Sequence, residues 1–173
     1  GGRSISLWKV RADGAIEQAW DSGDQIERTV ATQMPKAFNM NSAESPSRDS
    51  RSSKGGPEPE SVELATLQGH RVAFAGLERT GGVMAWDVTN PMAPVLLTYV
   101  NPRDPTVDLD IDENNDQKPD RLKEAGDIGP EGLLFLPASV SPDGQPMLVV
   151  CNEVSGTTTF MRVKASVPDA SAH

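Results

Sequence analysis

Apolar residues along this chain recur mostly at alternate positions, in short runs bounded by Gly, Pro, Asn and Asp. Period-two spacing predicts strands rather than helices. Arg3 to Val10 sets Ile5 and Leu7 on one face and Trp8 and Val10 on the other. Further strands are expected at Ala15 to Trp20, Val62 to Leu67, Arg71 to Leu77, Val83 to Val88, Val95 to Val100, Leu133 to Leu136, Met147 to Asn152 and Thr157 to Val163. Turn signals separate them, among them Asp13-Gly14, Thr80-Gly81-Gly82 and Ser141-Pro142-Asp143-Gly144. Gln25 to Met34 departs from this pattern. Its Ile26, Val30 and Met34 have helical spacing and fit a short helix. Phe38 to Ser53 is polar and reads as a long functional loop.

The chain repeats itself. Pro59-Glu60-Ser61-Val62 matches Pro130-Glu131-Gly132-Leu133, and each precedes an apolar strand closing on a Glu, Glu78 or Glu153. A Gly-containing turn follows, then a strand ending in Val88 or Val163. Ser6 to Val10 fits that last strand a third time. Glu60 lies 71 residues before Glu131, Glu78 75 before Glu153, Val88 75 before Val163, and Val10 78 before Val88. A repeat of about four strands with polar connections predicts an all-β fold, the β-propeller, with this chain supplying about two blades and part of a third. The expected divisions are 1–34 (end of a preceding blade), 35–103 (a blade carrying the Arg51-to-Glu60 loop), 104–127 (an acidic insertion loop), 128–165 (the last blade) and 166–173 (a flexible tail). Propellers close with about four to eight blades, so the remaining blades of the same propeller are the expected partners. The opening Gly1-Gly2-Arg3-Ser4, with no Met, is expected of a piece of a longer polypeptide.

Composition narrows the partners. The net charge is −9 over 173 residues, with 16 basic against 25 acidic side chains. No basic patch is available to neutralise phosphates, which argues against nucleic acid. No run of about 20 apolar residues offers a membrane span. The single cysteine, Cys151, sits in an apolar run and reads as a free, buried thiol.

Five segments carry a family resemblance: Asp21 to Asp24, Arg51 to Glu60, Gly76 to Gly82, Gly129 to Gly132 and Asn152 to Thr158. They resemble the choice-of-anchor I family, which takes in alkaline phosphatase-like proteins of bacteria and mesenchyme-specific cell-surface glycoproteins of biomineralising animals. The resemblance covers nearly the whole chain. It implies a β-propeller, an exported location (periplasmic, extracellular or cell-surface) and calcium. The Gly55-Gly56 doublet and the insertion from Asp108 to Asp120 depart from the family pattern.

The candidate chemistry is acidic. In a propeller the loops bearing Glu60 and Glu131 reach the central channel, where converging carboxylates repel unless a cation or proton intervenes. Rigid oxygen donors suit Ca²⁺. Glu58, Glu78, Asn152, Glu153 and Ser155 are expected to line that channel. In the insertion, Asp110, Asp112, Asn114 and Asp116 match the first half of an EF-hand-like loop, with Asn115 where Gly is required and Arg121 at the twelfth position. For an alkaline phosphatase-like phosphoesterase, Arg51, Lys54 and Arg79 would clamp a phosphorylated small molecule beside Glu60 and a bound cation. Neither His70 nor His173 is spaced to serve a serine nucleophile, so His70 reads as a plain turn residue. Trp8 and Trp86, at matching strand positions, read as core. The alternative is a non-catalytic surface-binding or scaffold propeller that uses the same loops.

Overall fold

The structure, a computed structural model, describes residues 2–110 and 118–164. It is all-β with few helices. Among the described residues eleven strands run in order: β1 (Ser6–Val10), β2 (Ile16–Asp21), β3 (Glu44–Ser45), β4 (Pro59–Leu67), β5 (His70–Leu77), β6 (Val83–Asp87), β7 (Val95–Val100), β8 (Leu109–Asp110), β9 (Pro130–Leu136), β10 (Met147–Asn152) and β11 (Thr157–Arg162). Helix α1 (Gln25–Gln33) follows β2, and α2 (Lys118–Ala125) precedes β9. All strand pairing is antiparallel. β1–β2, β4–β5–β6–β7 and β9–β10–β11 form three sheets of consecutive strands, and β3 and β8 make a two-residue ladder.

The four-stranded sheet is covered on both faces. On one, Ala73, Ala75, Leu77, Met84 and Trp86 pack with Ile26 and Val30 of α1 and with Ile5, Leu7 and Trp20 of the first sheet. On the other, Val72, Phe74, Val83 and Ala85 meet Leu148, Val150 and Phe135 of the third sheet. Phe74 and Phe135 stack with centroids 6.4 Å apart. Burial on both faces explains why Val72 to Leu77 is apolar throughout instead of alternating. In α1, Ile26 and Val30 sit one turn apart on the buried stripe, and Pro35 follows its end. The indole Nε1 of Trp86 donates to Gln25 Oε1 at 2.8 Å, which satisfies a fully buried donor.

The structure corrects three expectations. Trp8 is 59% exposed while Trp86 is fully buried, because only the Ile5, Leu7 and Trp20 face of the first sheet meets another layer. Cys151 is exposed, because β10 turns Leu148, Val150 and Asn152 inward and Cys151 outward. The acidic insertion is not only a loop. It carries α2, and Ala125 joins Ile128 and Leu109 in a third cluster with Leu122 and Val154. Asp112, Asn114 and Asp116 lie outside the described residues, and Asp110 is placed by its backbone opposite Glu44. Among the described residues no helix is long and apolar enough to cross a membrane.

Candidate functional site: a carboxylate cluster between two sheets

The repeat seen in the sequence is a repeat of backbone geometry. Pro59 pairs with Leu77 and Ser61 with Gly76, which leaves Glu60 as the extra residue of a β-bulge. Pro130 pairs with Asn152 and Gly132 with Cys151, so Glu131 is the extra residue of an equivalent bulge. A bulge re-aims the side chain it inserts. Directly before each bulge, Glu58 (φ +50°) and Gly129 (φ +78°) adopt the left-handed conformation. The carbonyl of each then accepts a strand-end amide: Glu78 N–H donates to Glu58 O at 2.9 Å, and Glu153 N–H to Gly129 O at 2.7 Å. The first sheet repeats a third feature. β1 breaks register between Leu7 and Trp8, as β6 does between Ala85 and Trp86.

The two bulges face one another across the seam between sheets. Gly76 permits this approach: a Cβ there would lie 2.6 Å from Ser61 Oγ and 2.9 Å from the carbonyl oxygen of Pro130. Glu78, Glu131 and Glu153 thereby bring carboxylate oxygens within 4.8 Å of one another, and Glu58, Glu60 and Glu78 do the same. Glu78 belongs to both groups. Its side chain is 3% exposed; Oε1 bonds Arg79 Nη1 at 2.9 Å, and Oε2 has no hydrogen-bond partner. Burial first, then the charge of Glu60 and a carboxyl–carboxyl hydrogen bond with it, and the charge of Glu58, push the Glu78 carboxyl up to about 7, although Arg79 pulls it down. Desolvation and the charges of Glu153 and Glu60 also raise Glu131.

Glu58 behaves differently. Arg51 Nη2 bonds its Oε1, and Arg79 Nε donates to Oε2 at 2.9 Å. Burial would raise this carboxyl, but the two guanidiniums outweigh it and hold it below the usual range. The Gly55-Gly56 doublet makes room for this. A Cβ on Gly55 would fall 2.0 Å from Glu58 Oε1, and Gly56 has φ +62° with Arg3 Nη1 where its Cβ would point. The Arg51-to-Glu60 loop is therefore fastened, as its glycines and prolines predict. Arg51 and Arg79 are both engaged by Glu58, while Lys54 is exposed.

In the second unit a different set fastens the joint. Asp127 accepts from Thr157 Oγ1 at 2.7 Å and from Thr159 Oγ1 at 2.5 Å. Ser155 Oγ accepts the Ile128 amide at 3.0 Å, and buried Asn152 donates to Thr159 Oγ1 at 3.0 Å. Asn152 and Ser155 thus hold the turn together. A cavity of about 530 Å³ opens beside them, bounded by Glu131, Glu153, Cys151 and Thr158, and gives solvent a route to the cluster. The sequence reading missed Asp127, and it missed Glu63, whose Oε1 accepts the Phe135 amide at 2.9 Å and ties β4 to β9. Strand alternation places Glu63 on the face shared with Ala65, which was the available signal. His70, read as a plain turn residue, pairs through Nδ1 with Asp87 at 2.7 Å on the surface.

A family model, the choice-of-anchor I domain, matches residues 1–91. Gigasin-3a of Magallana gigas is 32% identical over 168 residues, covering 95% of this chain and 56% of that protein. The mesenchyme-specific cell surface glycoprotein of Strongylocentrotus purpuratus is 37% identical over 97 residues, covering 51% of this chain and 12% of that protein. The chain therefore spans about half the length of one relative and a small part of the other. No solved structure matches it. With residues 1–91 of its 173 matched, the chain belongs to the choice-of-anchor I domain family and is an exported or cell-surface protein.

Proposed function

We propose that the chain is part of an exported β-propeller that serves as a non-catalytic binding or scaffold module at the cell surface or in the extracellular matrix. The stacking of sheets that repeat the same bulges, strand-end acids and register breaks carries this reading. β4 to β7 form a four-stranded meander, the unit of a propeller blade. β1 and β2 correspond to β6 and β7, so the first sheet lacks counterparts of β4 and β5. Such strands would cover Val62 and Leu64, now 58% and 64% exposed on the face of β4 toward the first sheet. Further strands of the same propeller are the partners that fit this surface.

Scaffolding is favoured over phosphoester hydrolysis by the state of the cations. Arg51 and Arg79 are engaged by Glu58. A phosphate entering beside them would meet Glu60, Glu78, Glu131 and Glu153, and like charges at that range repel. The names of the two relatives, a gigasin and a cell-surface glycoprotein, agree with a surface role. Phosphomonoester and phosphodiester assays on the protein, with and without Ca²⁺, test the reading. No turnover above that of Glu60→Gln is expected. Metal-dependent turnover abolished by that substitution would replace the scaffold with an enzyme.

A further inference from the structure

We infer that this chain binds a second copy of itself head to tail, the outer face of its third sheet closing on the outer face of the other copy's first sheet. The mating of the two faces rests on their own residues. Closure of two copies into a ring rests on the propeller reading above.

The chain already contains this contact twice, because its three sheets stack with one polarity. The face of the first sheet that carries Ile5 and Leu7 meets the face of the second that carries Ala73, Met84 and Trp86. The opposite face of the second, with Phe74 and Ala85, meets the face of the third that carries Leu148, Val150 and Met161. The shared register break makes Leu7 the counterpart of Ala85 and Trp8 that of Trp86. Each sheet thus offers a leading face to the trailing face of the next, and one face of each kind is left over. In the third sheet, alternation turns Leu134, Val149 and Phe160 outward as one cross-strand row, with Leu134 54% and Phe160 61% exposed. Phe160 stands 75 residues after Ala85, so this is a leading face. In the first sheet, Trp8, Val10 and Ile16 point outward and are 59%, 71% and 65% exposed. Trp8 holds the place of Trp86, so this is a trailing face. Clustered exposed apolar side chains of this size mark an interaction surface. Two leftover faces of opposite kind on one molecule are what a heterologous contact between identical copies requires.

The leading face of the third sheet departs from its counterpart at one place, and the departure selects the first sheet as its mate. Ser61 and Gly76 pair across β4 and β5, whereas Gly132 and Cys151 pair across β9 and β10. At Gly76 a side chain is excluded, because a Cβ would lie 2.9 Å from the Pro130 carbonyl oxygen of the next sheet. Cys151 fills that space, so a sheet bringing another such carbonyl would collide with it. The first sheet brings none, since it holds counterparts of β6 and β7 only, and Cys151 stays open to the cavity beside it. The count agrees. Two copies bring six sheets, and propellers close with about four to eight blades. Joined leading face to trailing face at both ends, the pair is a closed two-fold ring. The strip at Val62 and Leu64 stays open in it for further strands.

The test is size exclusion with light scattering on the intact chain across a dilution series. Twice the mass of one chain is expected. Trp8→Glu spoils the trailing face and Phe160→Glu the leading face. Both side chains are exposed, so both variants should unfold cooperatively on heating. Each alone should weaken association at least about tenfold. Mixed in equal amounts they should form a heterodimer, because one keeps its leading face and the other its trailing face. A wild-type chain that stays a monomer at every concentration overturns the inference and leaves the two faces to other parts of a longer polypeptide. So does association that survives either substitution unchanged, which would mean like faces pair, and so does a mixture that stays monomeric at the highest concentration. Mass that grows past two copies supports the mating of faces and overturns the closed ring. If a variant does not unfold cooperatively, Ile16→Glu replaces Trp8→Glu and Leu134→Glu replaces Phe160→Glu, each on the same face and read by the same outcomes.

Discussion

Glu58→Gln removes one negative charge from between two guanidiniums and leaves the shape of the loop alone. Glu58 is 9% exposed at its side chain, Arg51 16% and Arg79 32%, and Glu58 is bonded to both arginines. Breaking a buried ion pair from one side costs about 3–5 kcal/mol. Arg79 is partly solvated and keeps Glu78, which reduces the loss to about 2–4 kcal/mol. The Glu58 carboxyl is held below its ordinary value, so its contribution is present above about pH 4.5 and fades as pH falls through the lower folded value. Wild type and Glu58→Gln should therefore converge in acid. Backbone strain gives a second measurement at the same residue. Glu58 has φ +50°, where a side chain costs roughly 1 kcal/mol and glycine costs nothing. Glu58→Gly should thus be about 1 kcal/mol more stable than Glu58→Ala, although it removes more atoms. Urea unfolding followed by tryptophan fluorescence measures all three. A Glu58→Gln within about 0.5 kcal/mol of wild type at neutral pH refutes the ion-pair argument, and Glu58→Ala more stable than Glu58→Gly refutes the strain argument.

Three further outcomes follow from the structure. The contribution of Glu78 to stability should fall as pH rises from about 4.5 to about 7, because burial and neighbouring acids raise its carboxyl and its folded form gives up stability on ionising; Glu78→Gln should flatten that slope. Gly76→Ala should cost about 1–3 kcal/mol in chemical denaturation, since its Cβ would press on Ser61 Oγ and the Pro130 carbonyl and force the two sheets apart. Cys151 should react with a thiol reagent in the folded protein at nearly the rate of a free thiol, because its side chain faces solvent; reaction only on unfolding would contradict that placement.

The strands were legible because their signals are local. Alternation, β-branched residues and Gly or Asp turns located β4 to β7 and β9 to β11 within a few residues, and the spacing of Ile26 and Val30 located α1. The matched Pro-Glu pairs gave Glu60 and Glu131 as equivalent positions, which the twin bulges bear out. What escaped was whatever depends on the layer next door. Trp8 and Trp86 share a strand position, but only Trp86 has a neighbouring layer over it. Cys151 sits in an apolar run whose two faces differ in cover. The acidic stretch after Asp104 masked a helix, because its apolar contacts, Leu122 and Ala125, are few and find their partners at Leu109 and Ile128. The choice of Glu58 as the shared partner of Arg51 and Arg79 was not readable, since which acid a guanidinium takes is decided by loop shape and not by spacing.

The two repeat units differ most in how they secure the same joint. One uses Glu58 between Arg51 and Arg79, with a strained glutamate at the left-handed position. The other uses Asp127 between Thr157 and Thr159, with Gly129 there. Ion pairing and hydroxyl bonding are different chemistries, so the joint does not prescribe its side chains. The bulge acids Glu60 and Glu131 and the strand-end acids Glu78 and Glu153 are nevertheless the same residue type in both units. Clustered carboxylates repel, and Glu78 is desolvated as well; Arg79, bonded to Glu78 Oε1 at 2.9 Å, offsets part of that cost. What the two units hold in common is therefore the backbone, a bulge with a left-handed residue before it, and the acids that this bulge re-aims toward the seam.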